Sequence, residues 1–300
     1  MGFFKKLFGV EKEPERKQVE SIQPHLMTNE QLIEKARFFA QYIDVWIPYE
    51  PGGAYTSDTP AHWEKHMRNP AKCQEMLDHI KSKELLITLS TNEIDTTISS
   101  YALNSLFKVS GLEQSTLSQI AINSIHSGNA QNASNRVTDP VLIIKIALES
   151  RHSYVRRYAI EKIDDQDILL KIALQDKDNC GYAVNRITNQ DSLLQIYKSS
   201  NENGVRYTIV QKLKNQSVLE AIAMNPKEMA YIRILAMNDI TNQIVFETMV
   251  SDKTTDLEVR KAAINRINNV NILSDITKGN DDYNLRALAE KRLKDITSKP

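Results

Sequence analysis

The chain has few of the residues that cross-link or interrupt a fold: its 300 residues include two cysteines, nine glycines and nine prolines. Cys73 and Cys180 lie far apart and match neither a metal-binding nor a redox spacing, so no disulfide framework is expected. No run of 18 apolar residues occurs, which argues against a membrane-spanning helix. The scarcity of glycine and proline favours a mostly helical chain.

Net charge is also absent, because 38 basic residues balance 38 acidic ones. The protein as a whole therefore has no field that would draw it to nucleic acid or to an anionic membrane. Residues 1–10 place four apolar side chains on one helical face, with two lysines beside it: Phe3, Phe4, Leu7 and Phe8, with Lys5 and Lys6. This segment either touches a membrane weakly or docks on its own protein. The sequence predicts a cytoplasmic protein, with a peripheral position at the inner face of the membrane left open.

One helical phrase is repeated along the second half of the chain, beginning with VRRYAIEKI at Val155. Its fifth position carries Ala133, Ala159, Ala183, Ile209, Ala236, Ala263 and Ala289. Its ninth position carries Val137, Ile163, Ile187, Leu213, Ile240, Ile267 and Leu293. A period of 24 to 27 residues is typical of stacked helical units, none of which can bury its apolar face alone.

A second helix follows each phrase, and its start is marked by a capping pair. These pairs are Asp139-Pro140, Asp165-Gln166, Asn189-Gln190, Asn215-Gln216 and Asn242-Gln243. Asp and Asn are favoured helix caps, and proline is favoured at the first helical position. The repeat is therefore a pair of helices.

The phrase resembles the HEAT-like repeat family in its short bacterial form, V-R-x-x-A-[IV]-x-[KR]-[IL]. The matching segments are VRRYAIEKI at 155, VRYTIVQKL at 205, IRILAMNDI at 232 and VRKAAINRI at 259. The resemblance covers residues 129 to 293 and implies an all-α, right-handed α-solenoid of stacked helical hairpins. The expected organisation is an amphipathic stub (1–10), a charged linker (11–27), an aromatic-rich helical cap (28–84), degenerate repeats (85–128) and HEAT-like repeats (129–300).

The cap has its own features. Thr28 and Gln31 form a capping-box pattern, and the apolar stripe that follows predicts a helix ending near Pro48. Residues 48–60 are expected to form a loop. Four aromatic residues in or beside that loop could form a recognition surface or belong to the core: Trp46, Tyr49, Tyr55 and Trp63. His62 and His66 would share a helical face, but no third ligand has a fixed position, so no metal site is predicted.

The second position of the phrase carries Arg156, Arg206, Arg233, Arg260 and Arg286. These arginines fall on the buried face and must find acceptors, for which Asp178, Asn203 and Glu258 are candidates. The resemblance implies the same role, an arginine ladder between repeats. The eighth position carries Arg136, Lys162, Arg186, Lys212, Arg266 and Arg292. This basic row would meet an acidic protein surface or a phosphate backbone, or would be a solvated flank whose stems cover apolar surface.

Motifs for catalysis are missing: there is no His-Glu dipeptide, phosphate loop, GxSxG elbow or Cys/His nucleophile pattern. The sequence therefore favours a non-catalytic scaffold or inhibitor-type module that binds another protein in a groove of second helices, without a cofactor. The alternative is a nucleic-acid-binding protein, in one form a repair factor resembling HEAT-like DNA glycosylases. Those enzymes use a basic groove with tryptophan and aspartate, whereas both tryptophans here precede the repeats.

Overall fold

The computed structural model describes residues 23–47, 62–279 and 281–298. These residues are mostly helical, with 18 α-helices and two strands. None of the helices in these ranges combines the length and the apolar character needed to cross a bilayer. The amphipathic stub 1–10, the 48–60 loop with Tyr49 and Tyr55, and the Trp46 side chain lie outside what the structure describes.

The chain divides into two units, residues 1–142 with 150–155 and residues 143–149 with 156–300. The first unit begins with α1 (Asn29–Ala40), β1 (Tyr42–Ile47), β2 (His62–Met67) and α2 (Pro70–Asp78). It continues with α3 (Lys83–Asn92), α4 (Thr96–Lys108), α5 (Gln114–Asn123) and α6 (Ser127–Asn135). Here α1 packs on α2, α3 on α4 and α5 on α6.

The capping box at the start of α1 is confirmed: the Thr28 amide donates to Gln31 Oε1 (2.9 Å), and the Gln31 amide donates to Thr28 Oγ1 (3.3 Å). The prediction of a purely helical cap with a helix reaching Pro48 is wrong. That helix ends at Ala40, and β1 pairs antiparallel with β2, with Tyr42 opposite Met67 and Ile47 opposite His62. The segment YIDVWI is rich in β-branched and aromatic residues, and this local preference outweighs the helical spacing of its apolar positions.

Helices α7 (Pro140–Glu149) and α8 (Ser153–Ile160) each contribute residues to both units. The second unit continues with α9 (Gln166–Gln175), α10 (Cys180–Arg186), α11 (Gln190–Ser199), α12 (Asn203–Lys212) and α13 (Gln216–Met224). It ends with α14 (Ala230–Ala236), α15 (Gln243–Ser251), α16 (Leu257–Ile264), α17 (Val270–Lys278) and α18 (Tyr283–Thr297). The predicted caps are confirmed, since the Asp165, Asn189, Asn215 and Asn242 side chains each accept an amide hydrogen bond in the first turn of a second helix.

Packing within the second unit follows the repeat. Four successive pairs of first helices are in contact: α10 with α12, α12 with α14, α14 with α16 and α16 with α18. The second helices α9 and α11 also touch, as do α13 and α15. The fifth position of the phrase lies between first helices, where Ala183 and Ala263 are fully buried. A small side chain there lets neighbouring helices approach closely, which explains why alanine recurs.

Candidate functional site

The second-position arginines connect consecutive repeats. Arg260 donates through Nη2 to the Val250 carbonyl oxygen (2.9 Å) and to Asp281 Oδ1 (2.9 Å). Arg156 Nε lies 2.6 Å from Asp176 Oδ2, and its Nη2 is 3.5 Å from Asp178. Each arginine thus reaches a carboxylate in the loop that leads to the next first helix. Such paired and hydrogen-bonded charges tolerate burial that an isolated charge would not.

Arg206 combines three contacts, one of them with the buried carboxylate of Glu228. It donates to the Tyr197 carbonyl (2.8 Å), forms an ion pair with Glu228, and stacks over the Tyr197 ring with 4.0 Å between guanidinium carbon and centroid. Burial acts to raise the pKa of Glu228, but hydrogen bonds from Arg206 and Tyr197 outweigh it, and the net pKa is lowered. Burial, followed by the bond to Glu228, raises the pKa of the Tyr197 hydroxyl.

The other two second-position arginines, Arg233 and Arg286, have different contacts. Arg233 donates to the Ala223 carbonyl (2.7 Å), and Arg286 is half-buried in α18. Of the acceptors suggested by the sequence, Asp178 lies near an arginine, with its Oδ2 3.5 Å from Arg156 Nη2. Glu258 pairs with Lys261 instead (2.7 Å).

The basic row at the eighth position is largely engaged with backbone. Lys212 Nζ donates to the Val184 (2.8 Å) and Asn185 (2.6 Å) carbonyls, and burial lowers its pKa. Arg186 Nε donates to the Ile163 carbonyl (2.9 Å).

Two more members of the basic row also donate to backbone carbonyls, and the other two do not. Arg292 Nε reaches the Ile267 carbonyl (3.1 Å), and Arg266 Nη1 the Ala262 carbonyl (3.0 Å). Arg136, in the first unit, stacks over the Phe107 ring at 3.6 Å, whereas Lys162 is exposed. Cations at these positions neutralise helix carboxyl ends, so few of their donors face outward for a ligand.

A glutamine row joins the same turns and was not foreseen from the sequence. Gln216 Nε2 donates to the Asp239 carbonyl (2.7 Å), and its Oε1 accepts from the Thr241 amide (3.0 Å). Gln190 bonds in the same way to the Lys212 carbonyl (3.1 Å) and the Lys214 amide (2.9 Å). The only available signal was that glutamine recurs directly after the cap residue, where a cap needs no particular neighbour.

Four first helices in succession each carry a tyrosine that is more than a third exposed, and we call these residues the tyrosine row. They are Tyr158, Tyr182, Tyr207 and Tyr231, with exposed fractions of 41%, 38%, 36% and 47%. The Tyr207 and Tyr231 ring centroids lie 6.1 Å apart. The Arg157 guanidinium lies 5.2 Å from the Tyr158 centroid and 4.7 Å from that of Tyr182, and donates to the Tyr182 hydroxyl (3.1 Å). Contact among the rings limits their motion, which reduces the entropy lost when a partner covers them.

The second helices present a groove between α11 and α13. Its volume is about 450 Å³, and its lining includes Leu194, Tyr197, Val218, Ala221 and Asn225. A cavity of this size and mixed lining can accept a side chain or a short segment of a partner. The groove of second helices expected from the sequence remains a prediction as a binding site.

The β1–β2 hairpin carries the remaining candidates. Glu64 accepts hydrogen bonds from both His62 Nε2 (2.7 Å) and His66 Nε2 (2.8 Å), and these bonds lower its pKa. Trp63 is 66% exposed. No group of three His, Cys, Asp or Glu side chains within residues 23–47, 62–279 and 281–298 is arranged to hold a metal ion. Burial raises the pKa of the Cys73 and Cys180 thiols to about 11, so neither is an activated nucleophile.

Comparison with protein-family models, curated proteins and solved structures finds no match to this chain. The HEAT-like resemblance therefore rests on the repeated phrase.

Proposed function

We propose that this chain is a non-catalytic scaffold that binds another protein, with its second unit built as a HEAT-like right-handed α-solenoid. Support for the architecture comes from the packing of four successive pairs of first helices and from side chains that bond between repeats. A stack of this kind displays equivalent positions at regular intervals, which suits an extended protein surface.

The tyrosine row carries the functional proposal. Tyrosine and arginine are enriched at protein interfaces, because a large ring with a polar tip is buried at little cost in side-chain entropy. Tyr182 and Arg157 provide this combination at one end of the row, and Tyr207 and Tyr231 provide paired rings at the other. Burial in the core does not explain the tyrosines on these four successive first helices, since each side chain is more than a third exposed.

The basic row gives less support to nucleic-acid binding. Phosphate backbones are held by cations that release counterions, and such cations must have free donors. Lys212, Arg186 and Arg292 direct theirs at helix carboxyl ends.

The test is affinity purification of the tagged chain from its own host, with nuclease treatment, followed by mass spectrometry. We expect a stoichiometric protein partner that survives nuclease and is lost in the double variant Tyr182→Ala/Tyr207→Ala. Tyr283→Ala is the matched control, because Tyr283 is 73% exposed in α18 outside the tyrosine row. Loss of every partner on nuclease treatment, or equal partner recovery by the double variant and wild type, would contradict the proposal.

A further inference from the structure

One repeat of the second unit has no arginine at the second position of the phrase. The arginine precedes the fifth position by three residues in Arg156, Arg206, Arg233 and Arg260. In the repeat whose fifth position is Ala183, the corresponding residue is Cys180. This thiol is too short to reach either the preceding helix end or the following loop. The partners that an arginine would engage are still present.

A cavity occupies the place of the missing guanidinium. Its volume is about 320 Å³, and it is lined by Ala173, Cys180, Ile196, Ser200 and Glu202, among others. One repeat earlier, a cavity of about 240 Å³ contains the equivalent residues: Ala147, Arg156, Ile172 and Asp176. Ala147, Arg156 and Ile172 correspond to Ala173, Cys180 and Ile196, so a cysteine lines the larger cavity where an arginine lines the smaller one.

Two oxygen acceptors in this cavity lack donors. The Ala173 carbonyl corresponds to the Ala223 and Val250 carbonyls, which accept from Arg233 and Arg260. Within the described part of the chain, the Ala173 carbonyl accepts no hydrogen bond. The Glu202 carboxylate likewise makes no ion pair or side-chain hydrogen bond there. Glu202 precedes the fifth position of its repeat by seven residues, as Asp176 does, but Glu202 is exposed whereas Asp176 is half-buried.

Glu202 is the carboxylate among the residues that line the cavity. Burial raises the pKa of the Cys180 thiol, and the charges of Glu202 and Asp176 raise it further. Asp176 is already paired with Arg156. Lys177 also lines the cavity, and it makes no ion pair with a carboxylate of the described residues. One carboxylate and one helix-end carbonyl therefore remain for an incoming donor.

We propose that this cavity is a binding site for a guanidinium group, supplied by an arginine side chain of a partner protein. A planar fork can donate to a carbonyl and a carboxylate together, as Arg260 Nη2 does with Val250 and Asp281 at 2.9 Å each. An ammonium lacks this fixed geometry. The choice of a protein as the source of the arginine rests on the proposed function, whereas the guanidinium site does not.

The test uses the full-length protein and amide NMR titration with two blocked peptides, acetyl-Gly-Arg-Gly-amide and acetyl-Gly-Lys-Gly-amide. We expect saturable shifts at Ser199, Asn201 and Glu202 with the arginine peptide, and binding at least about ten-fold weaker with the lysine peptide. Glu202→Gln should abolish the preference, and Cys180→Ser should retain it. Equal binding of the two peptides, or no shifts at these residues, would overturn the site. Binding of free arginine without binding of the blocked peptide would overturn its assignment to a protein partner.

A second variant supplies the arginine internally. Cys180→Arg should raise the melting temperature and remove peptide binding, and both effects should disappear when Glu202→Gln is added. If Cys180→Arg does not fold, the peptide preferences of Cys180→Ser and Glu202→Gln still test the guanidinium site. Loss of the tyrosine-row partner in Tyr182→Ala/Tyr207→Ala with intact peptide binding separates the two surfaces. Failure of the arginine site therefore leaves the scaffold proposal standing, and failure of the scaffold proposal leaves the site to be judged by the titration.

Discussion

Arg260 and Asp281 are joined across one repeat by a 2.9 Å ion pair, with side chains only 8% and 13% exposed. The same guanidinium holds the Val250 carbonyl, so one side chain fixes the end of α15 and the loop before α18. Removing Asp281 leaves the buried guanidinium bonded to the Val250 carbonyl but without a counter-charge, which is more damaging than the pair itself is stabilising.

We therefore expect Asp281→Ala to lower the free energy of unfolding by about 3 kcal/mol, measured by urea denaturation. The matched control is Glu290→Ala, which removes the exposed pair of Glu290 with Lys294. That change should cost less than about 1 kcal/mol. Equal losses in the two variants would show that Asp281 does not stabilise a buried charge.

The glutamine row gives a second stability prediction. Gln216→Ala removes three hydrogen bonds to the next turn, so the expected loss in the free energy of unfolding is about 1–2 kcal/mol. Gln195→Ala, at an exposed site on α11, is the control and should change stability by no more than about 0.5 kcal/mol. The measurement is the urea midpoint of each variant, compared at equal m-values. Equal midpoints in the two variants would contradict the prediction.

These contacts show what the sequence could and could not predict. The caps Asn189 and Asn215 and the buried Ala183 and Ala263 follow from local chemistry and periodicity. The pairing of Gln216 with the Thr241 turn does not, because it depends on how one repeat lies on the next.

Strand β1 and the tyrosine row also depend on contacts between distant parts of the chain, which the sequence does not reveal. Strand β1 was missed because its apolar residues also fit a helical stripe, and its partner strand lies 15 or more residues further along. The tyrosine row is not evident from the sequence, because only Tyr158 and Tyr182 share a position of the phrase, the fourth. Tyr207 holds the third position and Tyr231 directly precedes the phrase, so packing of the first helices is what brings their rings together.

Acid should destabilise the protein through Glu228. Its folded-state pKa is lowered, so its contribution is fully present above the unfolded-state pKa and is lost as pH falls through the folded value. We expect the free energy of unfolding to fall from about pH 5 downward, and Glu228→Gln to flatten that part of the curve. Asp239→Asn, at an exposed position, is the control and should leave the slope unchanged. An identical slope in Glu228→Gln and wild type would contradict the assignment.

Thiol chemistry tests the packing of both units at once. Cys73 and Cys180 are 0% and 6% exposed, and burial raises the pKa of each thiol to about 11. The reactive thiolate is therefore scarce at neutral pH, and a thiol reagent has little access to it.

We expect an aromatic disulfide reagent at pH 8 to label neither cysteine rapidly in the folded protein and both in urea. Cys180 should react before Cys73, because the open cavity beside it gives the reagent a path that the core around Cys73 does not offer. Single Cys→Ser variants identify which thiol reacts, and faster labelling of Cys73 would show that the cavity at Cys180 is closed in solution.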